Sequence, residues 1–299
     1  MGKKRDRDSL TKGNPKRDAD AMDEDGSEEE DFDMVNVDFE WFNFDSTIDF
    51  HGTKSLLRQL LDVDSALFDI SALADVVLAN NAVGSSVKVD GRETDPYALV
   101  TAVPLPTRRP APPSVTAPDA PSFTAVLEDP TAAVGLVVSE RLINMPSEVA
   151  GPLYTMLLDE LDDAVEEKEP YDFTHFLLPS RVYSEVLPDP DKQKGSASSS
   201  SRAAAASASA SDAVFYFHPE DEVLARFAQA TASYDFTREG EANADSKRAF
   251  QDMGVKTRGV VMLFDKQGFK AAVAAVAEFL RVWSVAKERP RDEGTIVFE

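Results

Sequence analysis

The chain has 299 residues, 31 of them basic and 54 acidic, for a formal net charge of −23. So acidic a chain is a poor general binder of nucleic acid, because phosphate contacts need clustered lysine and arginine. The 42% hydrophobic content allows a sizeable core, and the absence of cysteine excludes disulfides, cysteine-ligated zinc, iron–sulfur clusters and thiol catalysis.

Residues 1–17 carry seven basic side chains and two acidic ones, a net of +5. Two patches, Lys3-Lys4-Arg5 and Lys16-Arg17, stand ten residues apart. That spacing suits a bipartite nuclear import signal, whose extended lysines meet acidic grooves on a transport receptor; a plain solvated terminus has the same composition. Residues 18–33 then hold ten acidic side chains and no basic one, which leaves −18 on the remaining 266 residues. Adjacent carboxylates in Asp23-Glu24-Asp25 and Glu28-Glu29-Glu30-Asp31 repel and stay hydrated, so 1–33 is expected to be a disordered tail, basic and then acidic. Such a polyanion can shield a basic client or merely solubilise; the further −18 favours the client.

No apolar stretch of a secretory signal follows the polar start. The longest apolar run, Ala271 to Trp283, is too short for a membrane span and contains Glu278 and Arg281. A soluble intracellular protein without membrane insertion is expected.

Val35, Val37, Phe39 and Trp41 alternate with Asn36, Asp38 and Glu40, the period of a strand with one buried face. Two amphipathic helices follow, on Leu56, Leu57, Leu60 and Leu61 and on Ile70, Leu73, Ala74, Val77 and Leu78. Val83–Val89 and Tyr97–Val103 read as strands separated by a turn at Asp90-Gly91. Residues 104–121 are proline-rich and aperiodic, an expected exposed loop. The apolar run of 133–143 reads as a buried strand. Pro146 then opens a helix with Ser147 near its N-cap, apolar at Leu153, Leu157, Leu158 and Leu161 and ending in an acidic face. That face comprises Asp159, Glu160, Asp162, Asp163, Glu166 and Glu167.

Phe173 to Tyr183 reads as a strand. The Ser/Ala tract within 190–212 has too few large apolar groups to pack and is expected to be a flexible insertion. Val214–Phe217 is a strand, and Pro219 stands at the first position of a helix bearing Val223, Leu224 and Phe227. A charged loop is expected over 237–257, a strand over 259–264 and a helix over 269–283, with a C-terminal tail at 287–299. Together the elements predict one α/β domain over 34–286, a mixed sheet flanked by helices.

The phosphate-binding GxxxxGK[ST], GxGxxG after a strand, HExxH and GxSxG are all absent. His51, His175 and His218 lie far apart and are expected to be structural or surface groups. Asp162-Asp163 and Glu166-Glu167, one turn apart, read as a solvated acidic face because no turn converges their oxygens on a cation. No catalytic, cofactor or metal residue is assigned.

Four segments together resemble the BCCIP family: Val37-Asp38-Phe39-Glu40-Trp41-Phe42, His51-Gly52-Thr53-Lys54, Gly84-Ser85-Ser86-Val87-Lys88-Val89 and Ser139-Glu140-Arg141-Leu142-Ile143-Asn144-Met145-Pro146. The resemblance extends over about 35–285 and includes Asp265-Lys266-Gln267-Gly268-Phe269 before the last helix. It implies a fold similar to the GCN5-related acetyltransferases, without their activity. Those enzymes hold coenzyme A on a glycine-bearing loop between a strand and a helix, where backbone N–H groups meet the pyrophosphate. The corresponding residues here, Arg141 to Glu148, include no glycine, Pro146 lacks an N–H, and Glu148 repels phosphate.

The resemblance further implies a protein of nucleus and cytoplasm that escorts a basic large-subunit ribosomal protein. Fungal members are linked to nuclear export and ribosome biogenesis, and also to actin organisation and vesicular transport. The expected partners are the basic client and nuclear transport receptors, met through Lys3, Lys4, Arg5, Lys16 and Arg17. The client would be covered by Asp23, Glu24, Asp25, Glu28, Glu29, Glu30 and Asp31, with Asp159, Glu160, Asp163 and Glu167 as a further contact. Two alternatives stand beside this: an export cargo adaptor using the leucines at 56, 57, 60 and 61, and a cryptic acetyltransferase.

Overall fold

A computed structural model describes residues 39–79, 82–106, 120–185, 214–237 and 255–287. In chain order these form β1 (Phe39–Asn43), α1 (Phe50–Leu61), a 3-10 turn (Asp62–Leu67), α2 (Ile70–Leu78), β2 (Ser85–Val89), β3 (Ala98–Pro104), α3 (Ala120–Glu128) and β4 (Val134–Arg141). A second 3-10 turn (Ser147–Val149), α4 (Ala150–Glu166), β5 (His175–Glu185), β6 (Val214–Tyr216), α5 (Pro219–Ala225), β7 (Ala230–Tyr234), β8 (Val255–Asp265) and α6 (Lys266–Lys287) complete them. The strands make one eight-stranded mixed sheet in the order β1-β2-β3-β4-β5-β8-β7, with β6 paired to β5. The mixed sheet with flanking helices is the architecture the sequence predicts.

Alternation within the strands divides the core between two faces. Ala98, Val100, Ala102 and Val137 point toward α4 and α6, where they meet Tyr154, Leu157, Phe269 and Val276. Leu99 and Val138 point the other way and pack on Leu56, Leu57 and Leu60 of α1 and Ala74 and Val77 of α2. On that same side, Val134, Leu177 and Leu263 are covered by Phe123 and Val126 of α3.

Every strand pairing is antiparallel except β4 with β5, which run parallel over Val134↔His175, Gly135↔Phe176 and Leu136↔Leu177. Beyond Leu177 the two strands part. The freed edge of β5 pairs with β6 instead, through Val182↔Tyr216, Tyr183↔Phe215 and Ser184↔Val214.

Two elements escape the sequence patterns. α3 begins at Ala120 inside the expected 104–121 loop, and Pro121 falls in its first turn, where a missing N–H breaks no helical bond. Pro104 belongs to β3, opposite Gly135. β7 has the sequence Ala-Thr-Ala-Ser-Tyr, too small-sided for an apolar alternation to stand out, yet Ala230 and Ala232 are buried. Its Tyr234 ring lies over Gly259 so closely that a Cβ there would come within 2.1 Å of the ring. β8 begins at Val255, within the expected charged loop and four residues before the expected strand. Ser147 is not an N-cap: it lies in a 3-10 turn, its hydroxyl bonds Glu148, and α4 begins at Ala150 without a side-chain cap. The tail expected over 1–33 and the insertion expected over 190–212 lie outside the described residues. α6 reaches Lys287, where the C-terminal tail was expected to start.

One ion pair fixes the entry to α1. Lys88 on β2 and Asp49 before α1 are both fully buried, with Nζ 2.5 Å from Oδ1. Nζ also donates to the Arg92 carbonyl at 2.7 Å, and Asp49 Oδ2 accepts from the Asp45 N–H at 2.9 Å. Removing one partner strands a buried charge, a loss of about 3–5 kcal/mol. Asp49→Ala and Lys88→Ala are each expected to lower unfolding stability by that order in guanidinium titrations. The combined replacement Asp49→Leu with Lys88→Met should cost much less than the sum of the two.

Candidate functional site

Where β4 and β5 part, the gap is closed by charge. Glu140 and Arg141 end β4, Ser180 and Arg181 lie on β5, and His218, Glu220 and Asp221 open α5; all seven are at least nine-tenths buried. Pro219 explains how α5 begins here. It fixes the backbone of the first helical residue and holds His218 extended before it. The acidic first turn then faces the positive end of the helix.

The contacts are short and mutual. Arg141 Nε and Nη2 donate to Glu220 Oε1 and Oε2 at 2.6 and 3.1 Å, a forked pair. Arg141 Nη1 donates to the Met145 carbonyl at 2.7 Å. His218 Nε2 lies 2.6 Å from Glu140 Oε1, which also accepts from Gln59 of α1 at 2.5 Å. Arg181 Nη2 stands 3.8 Å from that same oxygen, and its guanidinium covers the Phe217 ring at 4.7 Å. Ser180 Oγ donates to Asp221 Oδ2 at 2.5 Å. Glu140 points to the α1 side of the sheet and Arg141 to the α4 side. The loop leading into α5 therefore ties the two faces together through the opening.

Burial pushes the Asp221 carboxyl up to about 7; the neighbouring His218 opposes this, while Glu220 adds to it. Burial alone would lower His218, but the Glu140 hydrogen bond and the Asp221 charge more than offset it, so its proton is held above the ordinary histidine range. Desolvation likewise raises the Tyr154 phenol well above its usual value. These groups surround a cavity of about 10 Å³, lined by Ser139, Arg141, Tyr154, His218 and Asp221 among others. That is room for about one water, against the several hundred cubic ångströms of a small-molecule pocket.

The loop after β4, which the resemblance sets against a coenzyme A loop, has part of its backbone already engaged. Its Leu142 N–H is bonded to the Tyr97 carbonyl and its Met145 N–H to Leu142, Pro146 has none, and the Arg141 side chain closes back onto Met145. The amides that would cradle a pyrophosphate are thus partly spent within the fold.

The acidic face of α4 is a different kind of surface. Asp159, Asp163, Glu166 and Glu167 are exposed and form no ion pair with a described residue, whereas Asp162 is paired to Lys270 of α6 at 2.9 Å. Glu160 corrects the expectation drawn from sequence. It is half-buried, and its carboxylate accepts from the Gly84 N–H and the Ser85 hydroxyl, both at 2.6 Å, tying α4 to the start of β2. It is thus engaged within the fold. Lys3, Lys4, Arg5, Lys16, Arg17 and Asp23 to Asp31 lie outside the described residues. Of the leucines at 56, 57, 60 and 61, Leu56, Leu57 and Leu60 are buried in the α1 core and Leu61 packs half-buried against it, so they do not form an exposed leucine motif. Of the histidines, His51 is exposed and His175 half-buried; only His218 enters the junction.

A family model described as BCCIP matches residues 34–224. The chain is 48% identical to Protein BCP1 of Gibberella zeae over 290 residues, covering 94% of this chain and 99% of that protein. It is 39% identical to bcp1 of Schizosaccharomyces pombe over 262 residues, 83% of this chain and 91% of that protein. Among solved structures, the crystal structure of BCP1 from Saccharomyces cerevisiae shares the fold with a TM-score of 0.55 at 22% identity, covering 90% of this chain and all of that one.

The junction gives stability a definite pH slope. Asp221 and His218 both bind protons more tightly folded than unfolded, so their contribution is present on the acid side and is lost as pH rises through about 7. Urea titrations of the full chain are expected to show stability falling between pH 5 and pH 8, by a few kcal/mol at most. Asp221→Asn keeps an acceptor for Ser180 but carries no proton to lose; it should flatten that slope and raise stability at pH 8. An unchanged slope in the variant would remove Asp221 as its source.

Proposed function

The chain belongs to the BCCIP family, and from that premise we propose that it is a non-enzymatic acidic escort for a basic large-subunit ribosomal protein, shuttling between nucleus and cytoplasm. The supporting observation is the placement of charge. Beyond residue 33 the chain still carries −18, and α4 presents Asp159, Asp163, Glu166 and Glu167 to solvent without partners among the described residues. A surface of one sign steers an oppositely charged protein toward it and raises the encounter rate. A free ribosomal protein is basic and would otherwise contact RNA prematurely; a carboxylate-rich cover competes with phosphate for those lysines and arginines. The segment Asp23 to Asp31 adds a second polyanion to the first. Lys3, Lys4, Arg5, Lys16 and Arg17 are the residues we assign to a transport receptor.

Activity as an acetyltransferase finds no support in the loop after β4, whose amides and Arg141 are engaged internally. An export adaptor working through the α1 leucines would need those side chains exposed; Leu56, Leu57 and Leu60 line the core and Leu61 packs half-buried against it.

Binding is measured with individually purified large-subunit ribosomal proteins and the full chain. At least one should bind at low salt and weaken tenfold or more toward 0.5 M salt, roughly the range over which surface charges become screened. Asp159→Asn, Asp163→Asn, Glu166→Gln and Glu167→Gln combined should slow association several-fold and leave dissociation nearly unchanged. The proposal fails if no basic ribosomal protein binds at low salt.

A further inference from the structure

The turn into α2 leaves large apolar side chains in water. Leu67 is 53% exposed, Phe68 54% and Val76 49%. Phe68 precedes the N-cap Asp69, whose carboxylate accepts from the Ser71 and Ala72 N–H groups at 3.1 Å. A hydrophobic residue at that position ordinarily folds onto the fourth helical residue, here Leu73, and hides both. Phe68 instead keeps over half its surface exposed. Ala72, Val76 and Ala79 continue the exposed face at helical spacing, while Ile70, Ala74, Val77 and Leu78 fill the core side. The helix is apolar on both faces, and one face has no cover among the described residues.

The segment that carries this face has charge of one sign. Between Arg58 and Lys88 the sequence contains Asp62, Asp64, Asp69 and Asp75 and no lysine or arginine. Asp69 and Asp75 are exposed at the margin of the stripe. An apolar ridge with an anionic rim complements a helix that is apolar on one side and cationic around it. The spacing of Ala72, Val76 and Ala79 suits packing against another helix, ridge into groove.

We propose that Leu67, Phe68, Ala72 and Val76 form a docking face for a basic amphipathic helix of the client. The inference rests on the escort function proposed above and adds a contact that charge alone does not provide. The acidic face of α4 accelerates encounter, and the α2 stripe holds one patterned segment in place. Screening by salt weakens the first more than the second.

The probe is a synthetic peptide of about 18 leucines and lysines, with leucines at i, i+3, i+4 and i+7 so that one helical face is apolar. A second peptide of the same composition spreads its leucines around the helix. Binding to the full chain is followed by fluorescence anisotropy, and the site by hydrogen exchange. The patterned peptide should bind at least tenfold tighter than the scrambled one and slow exchange over 66–79. Phe68→Ser with Val76→Ser should abolish that difference with only a small loss of stability, since both side chains are already about half exposed. Asp75→Asn should weaken binding a few-fold. Equal binding of the two peptides, or an unaffected double variant, overturns the docking face while leaving a purely electrostatic escort standing. If neither lysine-rich peptide binds at low salt, the escort function falls as well.

Discussion

The fold depends on how a sheet stays whole where two of its central strands separate. After three parallel pairs, β4 and β5 lose their backbone pairing, and an unfilled gap would leave backbone groups and apolar edges in water. The protein closes it with β6, the His218 loop and the first turn of α5. The Arg141–Glu220 fork and the His218–Glu140 bond hold that insert in place. A buried charge set survives only if its members neutralise one another, and here two carboxylates meet two guanidiniums while the His218 and Asp221 protons adjust the remainder. The opening therefore becomes a polar seam that α5 locks.

This seam also engages the loop that follows β4. The end of β4 and the loop after it supply Arg141 and its Met145 acceptor. A guanidinium drawn inward to Glu220 cannot also face a pyrophosphate. The same residues that make the sheet continuous thus have their polar groups turned inward, while the carboxylates of α4 and the apolar stripe of α2 stay exposed.

Much of the architecture was legible because burial imposes periodicity. The leucines of α1, the alternation through Phe39 and Trp41 of β1 and the proline at the start of α5 each announce their element. α3 and β7 were hidden because Pro121 reads as a loop residue and Ala-Thr-Ala-Ser reads as nothing. The junction was hidden for a different reason. Glu220 and Asp221 follow a proline at a helix start, where exposed acids are commonplace, and their partners lie about forty and eighty residues away in sequence. Only the tertiary fold turns them into buried groups. Glu160 shows the converse: it belongs to an acidic run and was read with it, yet its place on the helix turns its carboxylate to the amide of Gly84.

The pairing of β5 with β8 has a consequence for biosynthesis. Those two strands share eleven paired positions, yet β8 residues follow their β5 partners by seventy to ninety residues. The helix that finishes the α4 side of the core, α6, comes after β8. As the chain leaves the ribosome, β5 must wait several seconds for its main neighbour, at ordinary elongation rates of about 5–20 residues per second. Throughout that interval Phe176, Leu178, Leu157 and Tyr154 lack the cover that Phe269, Val273 and Val276 later supply. The nascent chain is thus most exposed to misassociation late in its synthesis, and completion of the C-terminal helix closes that window.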